Sequence, residues 1–169
     1  MSLPPDILKA RLLNELSVCA RYLRRPIALP DGDLRSFPIE IEIELKGVPG
    51  LVFTDDGIET RYEHRFNILI GRNYPFEKPM VRWKTPIFHP NIMMPDDGGH
   101  LCTKLLDEWS FNSTLLSFIK GIEALLISPN PSSPFGTESC TAAAAYFNHS
   151  KIRIPPIVYS PLPKVVKSD

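Results

Sequence analysis

Apolar and polar residues alternate along this chain with two different periods. Near the N-terminus the step is helical. Leu8, Leu12, Leu16, Cys19 and Leu23 recur at intervals of four, four, three and four, so residues 4–25 are expected to form one amphipathic helix. Its leading prolines suit a first turn, where the missing N–H has no helical partner to lose. Beyond Phe37 the step becomes two. Ile39, Ile41, Ile43 and Leu45 point one way and Glu40, Glu42 and Glu44 the other, which predicts a half-buried strand over residues 38–46. Turn-forming residues 47–50 predict a reversal. Residues 51–54 then read as a second strand and Asp55-Asp56-Gly57 as a second turn. Residues 60–70 place Tyr62, His64, Phe66, Ile68 and Ile70 on one side of a third strand, and residues 80–84 form a short fourth. Short turns between successive strands imply an antiparallel meander.

From Thr85 to about Ser113 neither period holds. Helical spacing returns over residues 113–128, where Leu115, Phe118, Ile119, Ile122, Leu125 and Leu126 form a stripe that Ser113 or Thr114 would cap. The proline-rich residues 129–136 break that helix. An alanine-rich helix follows over residues 137–150, with Thr137 as its N-cap. Residues 151–169 contain four prolines and predict an extended tail, lying along the body through Ile154, Ile157 and Val158. The expected architecture is α+β: an N-terminal helix, a four-stranded antiparallel meander, a long loop and C-terminal helices in residues 1–150, followed by the tail.

Composition narrows the function classes. A length of 169 residues suffices for one domain with a real core. Nineteen basic residues balance nineteen acidic ones, which argues against a nucleic-acid partner, since phosphate-tracking surfaces carry a basic excess. No apolar run approaches the roughly 20 residues that span a bilayer, and the charged N-terminus lacks a signal-peptide core, so the expectation is a cytoplasmic protein with no membrane partner. Three cysteines, an odd and sparse count, fit reduced thiols better than a disulfide framework. Lys9, Arg11, Arg21, Arg24 and Arg25 lie largely off the first helix's apolar face and read as a solvated basic flank. His64, on the same strand face as Tyr62 and Phe66, reads as a structural residue.

The long irregular segment is the site to question, because such runs inside compact domains usually carry function. Ile87, Phe88, Ile92, Leu101, Leu105, Leu106 and Trp109 within it require burial, so it is expected to be ordered. It holds one thiol, Cys102. That thiol reads three ways: a small buried residue, a metal ligand with His89 and His100, or a nucleophile with His89, His100 or His149 as base. No metal-ligand spacing supports the second, and no metal is expected.

The motifs go further. Tyr74, Pro75, Phe76 and Pro79, a short strand, His89-Pro90-Asn91, then Cys102 and Trp109 in order resemble the core of the ubiquitin-conjugating enzymes. Residues 128–136 resemble that family's Pro-Asn-Pro segment, and the resemblance runs over about residues 5–150. It implies the family's fold, the same helix, meander, loop and helices read above. It implies no cofactor. It implies that Cys102 accepts ubiquitin or a ubiquitin-like protein from an activating enzyme as a thioester and passes it to a lysine of a substrate protein. Asn91 would stabilise the oxyanion or hold the loop. His89 and Pro90 would support the loop, and Ser133 would sit where an assisting hydroxyl or acid stands, with Asp107 and Glu108 close to Cys102 in sequence. Phe76 and Phe111 would meet a RING-type ligase, and the basic flank at Lys9 and Arg11 the activating enzyme.

The chain also departs from the family pattern. The eleven-residue step from Asn91 to Cys102 is expanded by residues 93–99, the usual strand tryptophan and Gly-Pro turn are missing, and the last helix is replaced by the tail. A divergent member is implied. The alternatives are a non-catalytic relative that binds a ubiquitin-like protein or a partner enzyme, and an unrelated cysteine hydrolase, which would need a histidine bonded to Cys102.

Overall fold

The computed structural model describes residues 1–30 and 34–150, the side chain of Ser150 excepted. The tail, with the expected packing of Ile154, Ile157 and Val158, lies outside the described residues.

Helix α1 (Pro5–Leu23) begins on its prolines and stops where Arg24 turns into a left-handed conformation at φ 60°. Its predicted stripe is the buried one: Leu8, Leu12, Leu16 and Cys19 face inward, with Leu23 at the margin. One charged residue, Glu15, is buried among them.

The sheet differs from the expectation. Among the described residues it has three antiparallel strands, not four, in the order β1 (Ile39–Thr54), β2 (Gly57–Ile70), β3 (Met80–Trp83). The first two predicted strands are one. β1 pairs with β2 from Ile39↔Ile70 to Lys46↔Glu63, slips, and resumes from Gly50↔Arg61 to Thr54↔Gly57. Residues 47–49 therefore form a bulge rather than a reversal. Glycine and proline suit both, so local chemistry does not separate them. The deciding group comes from the facing strand. The Nε2–H of buried His64 donates to the carbonyls of Val48 (2.9 Å) and Arg61 (3.1 Å), filling the gap that the missing ladder bonds leave. Burial makes the charged ring costly and lowers the pKa of His64.

Ile39, Ile41, Ile43 and Leu45 of β1, with Phe66, Ile68, Ile70, Val81 and Trp83, form the sheet's buried face. The outer face is polar. Asn67 donates to Glu40 there, and Arg82 pairs with Glu40. Helix α2 (Leu115–Ile127) buries the whole predicted stripe against the sheet, and α1 packs beside it. Thr114 is its cap, in a reciprocal box with Ser117. Helix α3 (Glu138–Ser150) starts with the Thr137 hydroxyl accepting the Cys140 N–H and packs Ala143 and Phe147 against Leu51 and Phe88 in a second, smaller core. Among the described residues, no helix is long and apolar enough to cross a membrane.

Gly50 sits against the histidine. A Cβ there would lie 2.7 Å from the His64 ring and 3.1 Å from Leu126. Neither neighbour has room to yield, so Gly50→Ala is expected to lower unfolding free energy by about 1–3 kcal/mol in urea titration.

Candidate active site

Residues 85–114 carry almost no regular structure, so their backbone polar groups must find other partners. Three consecutive residues supply many of them. His89 is buried. Its Nδ1 accepts the Asn91 N–H at 3.0 Å, and its Nε2–H donates to the carbonyl of Leu125 in α2 at 2.9 Å. Both nitrogens are occupied, and burial lowers its pKa to about 4. The ring is a neutral strut, not a base. The Pro90 carbonyl accepts the Phe135 N–H. The Asn91 side chain, fully buried, donates from Nδ2 to the carbonyls of Asn130 (3.0 Å) and Ser133 (3.1 Å) and accepts the Asn130 N–H at Oδ1 (2.8 Å). Its own carbonyl takes the Cys102 N–H at 3.0 Å. Asn91 thus fixes the thiol's backbone on one side and the Pro-Asn-Pro segment on the other.

The expanded stretch between them is stitched down. Met93 N–H donates to the His100 carbonyl, and a single 3₁₀ turn (Pro95–Asp97) leads to Gly98 and Gly99. The Gly99 carbonyl accepts the Trp83 N–H of β3. Gly99 has φ +67°, and a Cβ there would meet the Trp83 carbonyl at 2.6 Å. Only glycine fits. Ile92 and Leu101 then bridge, which aims the chain into Cys102.

Cys102 is half-buried and opens another 3₁₀ turn (Thr103–Leu105). The other two thiols are buried. Burial with the nearby Glu15 charge pushes Cys19 up to about 12, and burial raises Cys140, whose sulfur lies 3.5 Å from the Ile92 carbonyl. Cys102 alone of the three is open to a reactant. Among the described residues no histidine bonds its sulfur, and no three His, Cys, Asp or Glu side chains gather as a metal site. Ser133 is exposed on the segment that Asn91 holds. Asp107 and Glu108 line a shallow groove with Lys78, Thr103, Lys104 and Trp109.

The predicted partner residues divide. Phe76 is half-buried and Phe111 is 47% exposed, and their rings meet at 5.1 Å. The Trp109 indole N–H donates to the Pro75 carbonyl at 2.7 Å, locking the two aromatic loops together. Lys9 is half-buried on α1. Arg11 is not the solvated residue expected. Its Nε pairs with Glu15 at 2.7 Å and its Nη2 donates to the carbonyls of Phe111 and Ser113. Sequence reasoning missed Glu15. The available signal was a carboxylate beside the apolar stripe, four residues after an arginine.

Residues 39–151 match the family model of the ubiquitin-conjugating enzymes. The chain is 32% identical over 90 residues to the Nedd8-conjugating enzyme UbcE2M of Drosophila melanogaster, covering 53% of this chain and 48% of that protein. It therefore spans about half the length of that relative. It is 30% identical over 144 residues to the NEDD8-conjugating enzyme UBC12 of Saccharomyces cerevisiae, covering 82% and 71%. The E2 domain of a Toxoplasma gondii ubiquitin conjugating enzyme shares the fold, with a TM-score of 0.58 at 24% identity over 85% of this chain and 88% of that one.

Two measurements follow from the buried polar groups. Asn91→Ala leaves three backbone groups without partners and is expected to cost roughly 3 kcal/mol in urea unfolding. His64 and His89 are neutral in the folded state below the pH at which a free histidine, near 6.5, takes up a proton. Their stabilising effect is complete above 6.5 and is lost as pH falls below it, for His89 down to about 4. Unfolding free energy should therefore decline across that window, by at most about 1.4 kcal/mol per pH unit for each histidine. His89→Gln should flatten part of the slope.

Proposed function

The chain belongs to the ubiquitin-conjugating enzyme family, and on that footing we propose that Cys102 carries a ubiquitin-like protein as a thioester and delivers it to a lysine of a substrate protein. The observation that carries this reading is the placement of Cys102. It is the one open thiol, presented by a loop that the His-Pro-Asn residues tie to the rest of the fold.

The chemistry is acyl exchange. The Cys102 thiolate attacks the carbonyl carbon of the thioester on the activating enzyme, a new S–C bond forms, and the activating enzyme's thiolate leaves. A neutral lysine amine then attacks the same carbonyl. An isopeptide bond forms, Cys102 departs as a thiolate, and the amine's proton goes to solvent or a nearby acceptor. Splitting one hard acylation into two easier ones is the gain of a covalent carrier. No resident histidine base is required. The amine loses its proton more readily as it is desolvated at the site, with exposed Asp107, Glu108 and Ser133 as candidate aids.

We assign Asn91 first to holding the loop, since both hydrogens of its amide are taken by the Asn130 and Ser133 carbonyls. An oxyanion role would require one of them to be released. Phe76 and Phe111 present an aromatic pair to a RING-type ligase, and the α1 flank with Lys9 meets the activating enzyme. The two relatives named for Nedd8 make that protein the first modifier to try and ubiquitin the second. A reducing, cytoplasmic setting belongs to the same reading.

The test is a non-reducing gel after incubation with ATP and either modifier with its own activating enzyme. A shifted band is expected that disappears with thiol reductant, persists in Cys19→Ala and Cys140→Ala, and is absent in Cys102→Ala. A band that survives Cys102→Ala, or none with either charged activating enzyme, would reject the carrier role.

A further inference from the structure

Glu15 is the one acidic residue buried in the described part of the chain, and the chemistry proposed for Cys102 does not use it. A buried carboxylate is costly unless its lone pairs are filled. Here they are filled from three directions. Oε1 accepts the Tyr74 hydroxyl at 2.5 Å and the N–H of Leu115, first residue of α2, at 2.7 Å. Oε2 takes the Arg11 Nε at 2.7 Å. Burial and this acceptor raise the pKa of Tyr74, so its hydroxyl stays a donor.

Arg11 extends the cluster outward. Its Nη2 holds the carbonyls of Phe111 and Ser113, each at 3.0 Å. Its guanidinium lies 5.0 Å from the Phe111 ring centroid and 5.7 Å from that of Tyr74. Phe111 in turn meets Phe76. Two loops far apart in sequence, one carrying Tyr74 and Phe76 and the other Phe111 and Ser113, are thus pinned to adjacent turns of α1 by one carboxylate and one guanidinium. An arginine fork suits this task and a lysine point charge does not, because the fork addresses the carboxylate and two carbonyls at fixed angles.

We propose that Arg11 and Glu15 are positioning residues that hold the Phe76–Phe111 pair in its docking geometry, and that Arg11 is no free cationic contact for the activating enzyme. The proposal rests on the ligase reading of that aromatic pair. The entropy of ordering an exposed loop is met in advance by the α1 cluster, so a partner binds a preformed surface. Glu15→Gln keeps an acceptor for Tyr74 and Leu115 but loses the charge that aligns Arg11.

Two readouts test it. The first needs no modifier: hydrogen exchange of the Trp109 indole N–H, whose bond to Pro75 spans the two loops. Exchange is expected to quicken in Glu15→Gln and Arg11→Lys with the melting temperature near that of the parent. The second uses the charged protein and an isolated RING domain. Glu15→Gln should acquire thioester at the parental rate yet lose about fivefold to tenfold in RING-stimulated discharge. Arg11→Lys should match it in discharge, and Glu15→Gln should add little to Phe111→Ala, since both act through one surface. Unchanged indole exchange, full additivity with Phe111→Ala, or a charging defect in Arg11→Lys with intact discharge would overturn the proposal. So would equal loss of both steps with a lower melting temperature, the mark of a purely structural role. If the parent takes up no thioester, the carrier reading fails by itself, and indole exchange still decides whether the clamp exists.

Discussion

The fold depends on satisfying backbone groups where there is no helix or strand to do it. Residues 85–114 wrap the open side of the sheet almost without regular structure, and much of their surface is buried. Each unpaired buried N–H or C=O there would cost about as much as the net gain of several ordinary hydrogen bonds. His89 and Asn91 meet that constraint with side chains. One bonds back to its own loop and across to α2, and the other to residues 130 and 133. The chain around Cys102 is ordered because these two side chains act as a substitute ladder.

The same device recurs twice. His64 fills the bulge in β1, and Glu15 collects a hydroxyl, a helix N-terminus and a guanidinium between α1 and the start of α2. In all three places a buried polar side chain stands where periodic bonding is interrupted. The bonds each makes, through Nε2 alone in His64, turn an otherwise unfavourable burial into a fixed local geometry. The interruptions are where the proposed chemistry would be presented. The thiol stands beside the first device, and the aromatic pair of Phe76 and Phe111 beside the last.

How legible was this beforehand? The stripes of α1 and α2 and the inward face of Ile39, Ile41, Ile43 and Leu45 were read correctly, because side-chain period and burial are linked by local geometry alone. The strand count was misread at residues 47–50, where turn and bulge share the same residue types and His64 decides from another strand. Cys102 stood out through motif order and not through periodicity, and its half-buried setting is what the fold adds. Glu15 was invisible as a site, since its partners Tyr74 and Leu115 are far away in the chain.

By itself, then, the sequence determined which faces are apolar, where the helices start and stop, that a stiff ordered loop must lie between sheet and α2, and which family's motifs that loop carries. These follow from forces between residues a few positions apart. The tertiary structure alone decided that β1 runs on through a bulge, that the amide of Asn91 is spent on loop carbonyls, and that Arg11 turns inward to Glu15 and Phe111. The reason is common to all three. A buried donor or acceptor takes whichever partner the packed chain brings within about 3 Å, and that partner is set by the whole fold rather than by the neighbouring residues.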